Sequence, residues 1–261
     1  GDPAEVGDMM GIFYDSLGIL KCGAYITWTG VTTALVAYGN DPLTPAIDGF
    51  DSGIEFQWKV WDISAEEEFL AIPEYNLVSF INDGHYIANG ISGLSGLIAY
   101  DVQGISIPTG WSIMSTYIDP FETNIEIVFS EIMQDVIVIK NEDGALYYPP
   151  WNLNMIGDVV IGEGYQIKMV DNGGLKSGFV LYVNGERVDP DTGIPLPEGW
   201  SIISYLHRDI YPIETMMESI DTSIVIVKDG AGNVYIPYPP AGPAVNTIIN
   251  MVPGKGYKIK I

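Results

Sequence analysis

The sequence predicts a mainly β protein, with an N-terminal antiparallel β-sandwich followed by two homologous small α+β repeats. One segment occurs twice, at residues 107–169 and again at 196–261. Before it, several short apolar segments alternate with turn-forming residues, a pattern typical of sandwiches. We therefore expect a β-sandwich module at 1–104, repeat copy 1 at 105–170, a linker hairpin at 171–194 and repeat copy 2 at 195–261.

Both copies of the repeat carry the same features in the same order. Each begins with Gly-Trp-Ser-Ile and ends with Gly-x-Gly-Tyr-x-Ile-Lys. Between these motifs lie a helical period, an Ile/Val-rich strand that ends in Lys, and a Tyr-containing strand. The helical positions follow the i, i+3, i+4, i+7 spacing of one buried helix face. They are Ile125, Val128, Phe129 and Ile132 in copy 1, and Ile213, Met216, Met217 and Ile220 in copy 2.

Each copy is predicted to form a strand, a short helix and three further strands. The last strand of copy 2 alternates Tyr257, Ile259 and Ile261 with lysines, so one of its faces should be buried and the other wet. We expect Trp111 and Trp200 to be core anchors. A unit this small is marginal alone, so the copies should pack on each other or on a neighbour. The Gly-x-Gly-Tyr motif leads into a strand, which favours a tight turn with an aromatic anchor over a phosphate loop.

The segment 1–104 and the linker are predicted to be rich in strands. The N-terminal strands are expected at 7–14, 20–28, 33–38, 56–61, 67–72 and 97–102. In the linker, residues 171–174 are expected to form a turn. Apolar residues on both sides of Asn184-Gly185 predict a β-hairpin.

The charge balance of the chain excludes several kinds of partner. There are 11 Lys and Arg residues against 34 Asp and Glu, for a net charge of −23. Nucleic-acid backbones and anionic membrane surfaces both require clusters of positive charge, so neither is expected as a partner. No apolar run reaches the ~18–20 residues that span a bilayer, so membrane insertion is not expected. Because Gly1 is not a methionine, we expect a mature or truncated product. Cys22, the only cysteine, excludes an internal disulfide and is expected to be buried.

One acidic loop, residues 39–53, is a candidate metal site. Asp41, Asp48 and Asp51 could converge on Ca²⁺, which prefers carboxylate and carbonyl oxygens. Their spacing differs from that of an EF-hand. The alternative is a surface loop in which the Asp side chains accept hydrogen bonds from their own backbone. No other cofactor is expected.

Three aromatic residues are candidates for stacking on a sugar: Trp61, Tyr148 and Trp151. Trp61 lies on the more polar face of its predicted strand, where the alternative is packing beneath a neighbouring loop. No Gly-x-Ser-x-Gly elbow or His-Glu-x-x-His motif is present. A glycosidase pair of carboxylates could still occur among so many acidic residues. We do not expect an enzyme.

The repeat resembles a module of secreted and cell-surface proteins of Bacteroidetes, which is also found in some viral structural proteins. The segment from Gly7-Asp8 to Trp61-Asp62 resembles a companion β-module of such proteins. The resemblance covers most of the chain and implies a non-catalytic part of a larger surface or secreted assembly. The matching positions are Gly110, Trp111, Ile113, Lys140, Tyr147, Pro149 and 162–168 in copy 1, and Gly199, Trp200, Ile202, Lys228, Tyr235, Pro237 and 254–260 in copy 2.

These observations favour a non-enzymatic structural or adhesion protein of a cell or virion surface, outside the cell. It would act through protein–protein or surface contacts, as part of a larger assembly or a longer chain. The alternative is a carbohydrate-binding accessory module of a secreted hydrolase.

Overall fold

The protein is mainly β, as predicted, with 43% of its residues in strands and 7% in helices. The computed structural model describes residues 3–171, 178–238 and 245–261. The chain divides into two compact units, Gly1–Asp101 and Val102–Ile261. In the described segments no helix is long and apolar enough to cross a membrane.

The first unit is built on an antiparallel sheet with the strand order β2-β1-β3-β4-β5. The boundary between the two units falls inside β5, whose first half pairs with β4. Cys22 lies on β2 and is exposed, so the prediction of a buried thiol was wrong. The strands are β1 Met9–Ser16, β2 Ile19–Thr27, β3 Gln57–Asp62, β4 Glu67–Tyr75 and β5 Leu94–Ile107.

The loop that contains Phe50 forms the second layer of the first unit. Phe50 is buried and its ring makes edge-on contacts with Tyr14, at 5.3 Å between centroids, and with Phe56, at 5.0 Å. The strand predicted at 33–38 is absent. Leu35 and Ala37 pack on the Phe50 cluster instead of joining the sheet.

In the second unit, each repeat copy forms a five-stranded sheet with the same strand order. The order is β10-β9-β8-β11-β6 in copy 1 and β17-β16-β15-β19-β13 in copy 2. Copy 1 contains β6 Gly110–Met114, β7 Ile118–Pro120, helix α1 Ile125–Val128, β8 Val136–Lys140, β9 Leu146–Tyr148, β10 Leu153–Asn154 and β11 Tyr165–Met169. After β12, Phe179–Arg187, copy 2 contains β13 Trp200–Ile203, β14 Tyr211–Pro212, helix α2 Ile213–Met217, β15 Ile226–Lys228, β16 Val234–Ile236, β17 Val245–Asn246, β18 Asn250–Met251 and β19 Tyr257–Lys260.

Both repeat helices are only about one turn long, and each buries the face that the sequence predicts. Ile125, Phe129 and Ile132 lie in the core of copy 1. Ile213 and Met217 lie in the core of copy 2. The stability of such short helices must come from this packing, because an isolated helix of one turn does not form in water.

In its described residues, 178–194, the linker forms one strand rather than a hairpin. Strand β12 runs straight through Asn184-Gly185 and pairs with β7. A Cβ atom on Gly185 would lie 1.9 Å from the carbonyl oxygen of Asp119, so this glycine permits close strand contact instead of a turn. Alternate residues of β12, such as Leu181, complete the core of copy 1. The turn predicted at 171–174 lies mostly outside the described residues.

Candidate functional site

The two repeat copies pack on each other through their Gly-x-Gly turns. The Gly164 N–H donates to the carbonyl of Ile202 at 2.8 Å, and the Gly256 N–H donates to the carbonyl of Ile113 at 3.1 Å. Ile113 and Ile202 occupy equivalent positions, so the turn of each copy binds the first strand of the other. This arrangement confirms the expectation that the copies pack together.

Two buried serines extend this reciprocal contact. The Ser115 hydroxyl donates to the carbonyl of Lys255 at 2.8 Å, and the Ser204 hydroxyl donates to the carbonyl of Glu163 at 2.6 Å. Their backbone N–H groups donate to Gly254 and to Gly162, at 3.1 and 2.9 Å. The same set of bonds in both directions is the signature of a two-fold, self-complementary interface.

The tyrosine of each motif anchors the turn, as the sequence predicts. The Tyr165 hydroxyl accepts a hydrogen bond from the Val160 N–H at 2.8 Å, and the Tyr257 hydroxyl accepts one from the Val252 N–H at 2.9 Å. Burial raises the pKa of Tyr257 to about 12, and it also raises the pKa of Tyr165 well above its ordinary value. The tyrosines and the reciprocal turns hold the first strands of both copies in fixed positions.

Those first strands present Trp111 and Trp200 to solvent, so the prediction that these residues are core anchors was wrong. Trp111 is 49% exposed and Trp200 is 42% exposed. Side chains alternate along a strand, and Met114 and Ile203 point into the cores of their copies. The tryptophans, three residues before them, must therefore face outward.

Lysines surround both exposed rings, and we call the two sets the Trp111 face and the Trp200 face. The ammonium groups of Lys140 and Lys168 lie 5.7 and 5.6 Å from the centre of the Trp111 ring. Those of Lys228, Lys258 and Lys260 lie 5.4, 5.1 and 6.0 Å from the centre of the Trp200 ring. Cross-strand pairing causes this, since Lys168 lies opposite Trp111 and Lys260 lies opposite Trp200. These are cation–π distances.

The lysines are informative because positive charge is rare in this chain. Five of its 11 Lys and Arg residues surround these two rings, although acidic residues number 34. A random distribution would scatter them. The sequence shows these lysines at the end of each Ile/Val-rich strand and on the last strand of each copy, but only the register reveals which ring they surround.

A cavity of about 300 Å³ adjoins the Trp111 face. It lies between the outer face of copy 1 and the turn that follows β15 of copy 2. Its lining combines an aromatic wall with amide, ammonium and carboxylate side chains, from Trp111, Ile113, Lys140, Gln166 and Asp229. Small-molecule sites commonly pair an apolar wall with a few such polar groups, and this volume is at the lower end of their range.

Of the three aromatic residues predicted to bind a sugar, two lie in copy 1 near this face. The rings of Tyr148 and Trp151 meet edge to face at 5.2 Å, and Trp151 is 78% exposed. Tyr147 points into the core, so Tyr148 shares the outer face of the sheet with Lys140. Trp61 belongs to the first unit, where it is 36% exposed on β3.

The acidic loop uses its carboxylates to bind its own backbone and side chains. Asp48 accepts hydrogen bonds from the Asp41 N–H at 2.9 Å and from the Thr44 hydroxyl at 3.2 Å. The bond from Asp41 is the main cause of the lowered pKa of Asp48. Asp51 accepts from the Asn40 amide at 3.1 Å. Within the described ranges, no group of three or more His, Cys, Asp or Glu residues is placed to hold a metal ion. Calcium binding by Asp41, Asp48 and Asp51 stays a prediction.

No protein-family model matches this sequence, and neither does any curated protein or solved structure. The two tryptophan faces are therefore the features of the molecule that bear on its function.

Proposed function

We propose that this is a non-catalytic structural or adhesion protein of a cell or virion surface, which contacts its partners through the Trp111 and Trp200 faces. The observation that carries the proposal is the duplicated, half-exposed tryptophan ringed by lysines. The N-terminal unit and the resemblance to surface modules fit the same role.

An exposed tryptophan ringed by cations has the character of a contact surface. Tryptophan dominates the binding energy of many interfaces, because its large ring excludes water from a wide area. The lysine ammonium groups lie over each ring, where they can also attract an anionic partner. Neither feature is needed to fill the cores, which are complete without these rings.

The charge of the whole chain makes these faces selective. At a net charge of −23 the protein repels other anionic surfaces over most of its area. The two faces are local exceptions, where an anionic partner gains attraction from Lys140, Lys168 and their counterparts in copy 2. Approach in any other orientation is disfavoured, which gives the contact a defined geometry.

The second candidate, a carbohydrate-binding accessory module of a secreted hydrolase, is favoured by the pair Tyr148 and Trp151. Tyr148 is half-buried on the outer face of the sheet that carries Lys140, and the exposed ring of Trp151 packs against it edge to face. Aromatic rings in this setting can stack on sugar rings, which would make the module a polysaccharide anchor for an enzyme.

An array of purified polysaccharides and surface proteins tests the proposed function. Wild-type protein and the double variant Trp111→Ala/Trp200→Ala are applied at equal concentration, and Tyr182→Ala serves as an exposed aromatic control on β12. We expect the double variant to lose the signals that the wild type and Tyr182→Ala share. Retention of every signal by the double variant would show that the faces are not the contact surface.

A further inference from the structure

Copy 1 is covered by a strand that has no counterpart in the described part of copy 2. Strand β12 lies between β5 and β7 in the sheet order. A Cβ atom added to Gly104 of β5 would lie 3.4 Å from the ring of Tyr182 on β12, which shows how closely the two strands approach. The side chains that β12 adds to the core of copy 1 are Phe179, Leu181 and Val183.

The segment that flanks β12 on the β5 side has an equivalent in copy 2. Ile105 on β5 and Ile194 each lie six residues before the tryptophan of their copy. A Cβ atom added to Gly254 would lie 3.1 Å from Ile105, and one added to Gly162 would lie 3.5 Å from Ile194. Each isoleucine therefore packs against the first glycine of the other copy's Gly-x-Gly turn, so the two occupy equivalent places. Ile105 is buried, whereas Ile194 is half-exposed.

The same contrast holds on the β7 side and on the helix. Ile118 lies on β7, and His207 is its equivalent because each lies three residues after the interface serine of its copy. Ile118 is completely buried, whereas His207 is half-exposed. Ile132 is likewise buried in the core of copy 1, while its equivalent Ile220 is half-exposed. Copy 2 thus leaves open the side chains that copy 1 covers.

These open side chains line a groove of about 340 Å³, which we call the copy 2 groove. Its walls come from segments 190–196 and 204–207, and its floor includes Met216, Met217 and Ile220. The described residues 192–197 and 204–207 belong to no strand. The walls therefore stand without a strand between them, in the places where β5 and β7 of copy 1 flank β12.

We propose that the copy 2 groove binds an extended segment of a partner protein, which adds a β-strand to copy 2 as β12 does to copy 1. Backbone hydrogen bonds to the walls would supply affinity, and apolar side chains at alternate positions would fill the floor. The net charge of −23 and the carboxylate of Asp191 at the groove favour a neutral or basic strand. The groove and the two tryptophan faces have different residues, so this inference goes beyond the proposed function.

A strand fits this groove better than a small apolar molecule does. A small molecule would cover Met216 and Ile220 but would leave both walls without a strand to pair with. Strand β12 shows in copy 1 that the same fold accepts a strand between these two segments, with Leu181 fully buried beneath it.

Isothermal titration of the full chain with a synthetic peptide of residues 178–188 tests the proposal, because this peptide has the sequence of β12. We expect one peptide to bind per chain. A second peptide, with Leu181→Asp and Val183→Asp, should bind at least about tenfold more weakly, because it cannot fill the floor. Absence of binding by the first peptide, or equal binding of the two, would overturn the proposal. The array experiment changes only the tryptophans, so its outcome is independent of this one.

Matched variants on helix α2 test the location. Met216 is half-exposed on the floor, whereas Thr215 is exposed and its side chain does not line the groove. We expect Met216→Lys to weaken peptide binding by about tenfold or more, and Thr215→Lys to leave it within about twofold. Undiminished binding by Met216→Lys would place the peptide elsewhere and overturn the assignment. The two peptides are compared on the unchanged protein, so that comparison is decisive even if Met216→Lys destabilises copy 2.

Two further measurements decide between a partner strand and other occupants. Sedimentation velocity should show no dimer that the peptide dissociates, because such a dimer would assign the groove to a second copy of this chain. Dodecanoate should not displace the peptide, because displacement at a concentration below that of the peptide would assign the groove to a small apolar ligand. Either of these results would overturn the proposal.

Discussion

Substituting the second glycine of each Gly-x-Gly turn by alanine should destabilise the packing of the two copies. A Cβ atom at Gly164 would lie 2.8 Å from the carbonyl oxygen of Ile203, and one at Gly256 would lie 2.8 Å from that of Met114. Real Cβ atoms do not approach so closely. An isoleucine side chain lies about as close in each case, at 2.9 Å for Gly164 and 2.7 Å for Gly256, but the backbone carbonyl cannot rotate away as a side chain would.

The size of the effect follows from what must move. The first strand of the other copy would have to shift, and it is held by the hydrogen bond that Gly164 or Gly256 donates, at 2.8 and 3.1 Å. Overpacking costs about 1–3 kcal/mol, and a weakened hydrogen bond costs about another 0.5–1.5 kcal/mol. Alanine also restricts the unfolded chain, which offsets about 0.4–1 kcal/mol. We expect a net loss of about 2 kcal/mol, equivalent to a fall in Tm of about 4–8 °C.

Differential scanning calorimetry of the two variants measures this loss. Gly193→Ala is the matched control, because no heavy atom lies within 4 Å of its Cβ position and its φ is not positive. The pseudo-two-fold relation predicts that Gly164→Ala and Gly256→Ala have similar effects. Wild-type melting of both variants, or an equal loss in Gly193→Ala, would refute the close-contact explanation of this motif.

Three further predictions follow from the described contacts. Trp111→Ala and Trp200→Ala should each lower the free energy of unfolding, measured by urea denaturation, by about 1–2 kcal/mol. A half-exposed ring contributes less than the ~3–5 kcal/mol of a buried one. A loss of ~3–5 kcal/mol would mean that the rings are buried. Burial raises the pKa of Tyr205 and of Tyr257 to about 12, whereas an unfolded tyrosine has a pKa near 10. The free energy of unfolding should therefore fall as pH rises from about 10 to 12, and the absorbance at 295 nm should change together with unfolding. Full ionisation of these tyrosines near pH 10 in the folded protein would contradict this. Calcium binding by Asp41, Asp48 and Asp51 should raise Tm, and a chelator should reverse the rise. An unchanged Tm would mean that the loop carboxylates serve only to accept the hydrogen bonds of the loop itself.

The architecture of the repeats could be predicted because two copies of one pattern constrain each other. The helical period around Ile125 is short and ambiguous alone, but its match around Ile213 identifies a buried face in both. The alternation of Tyr257 and Ile259 with lysines likewise predicts a strand with one wet face, which β19 has. Such local periodicities predict the fold correctly because they depend only on which side of an element packs against the core.

Features that depend on a distant neighbour could not be predicted in this way. Asn184-Gly185 is a strong local signal for a turn, yet β7 lies so close that Gly185 is required for strand contact. Whether Trp111 faces outward depends on which side of β6 the core covers. The large apolar side chain of Trp111 by itself favours burial. The Trp111 face became recognisable only from the register that sets Lys168 opposite the ring.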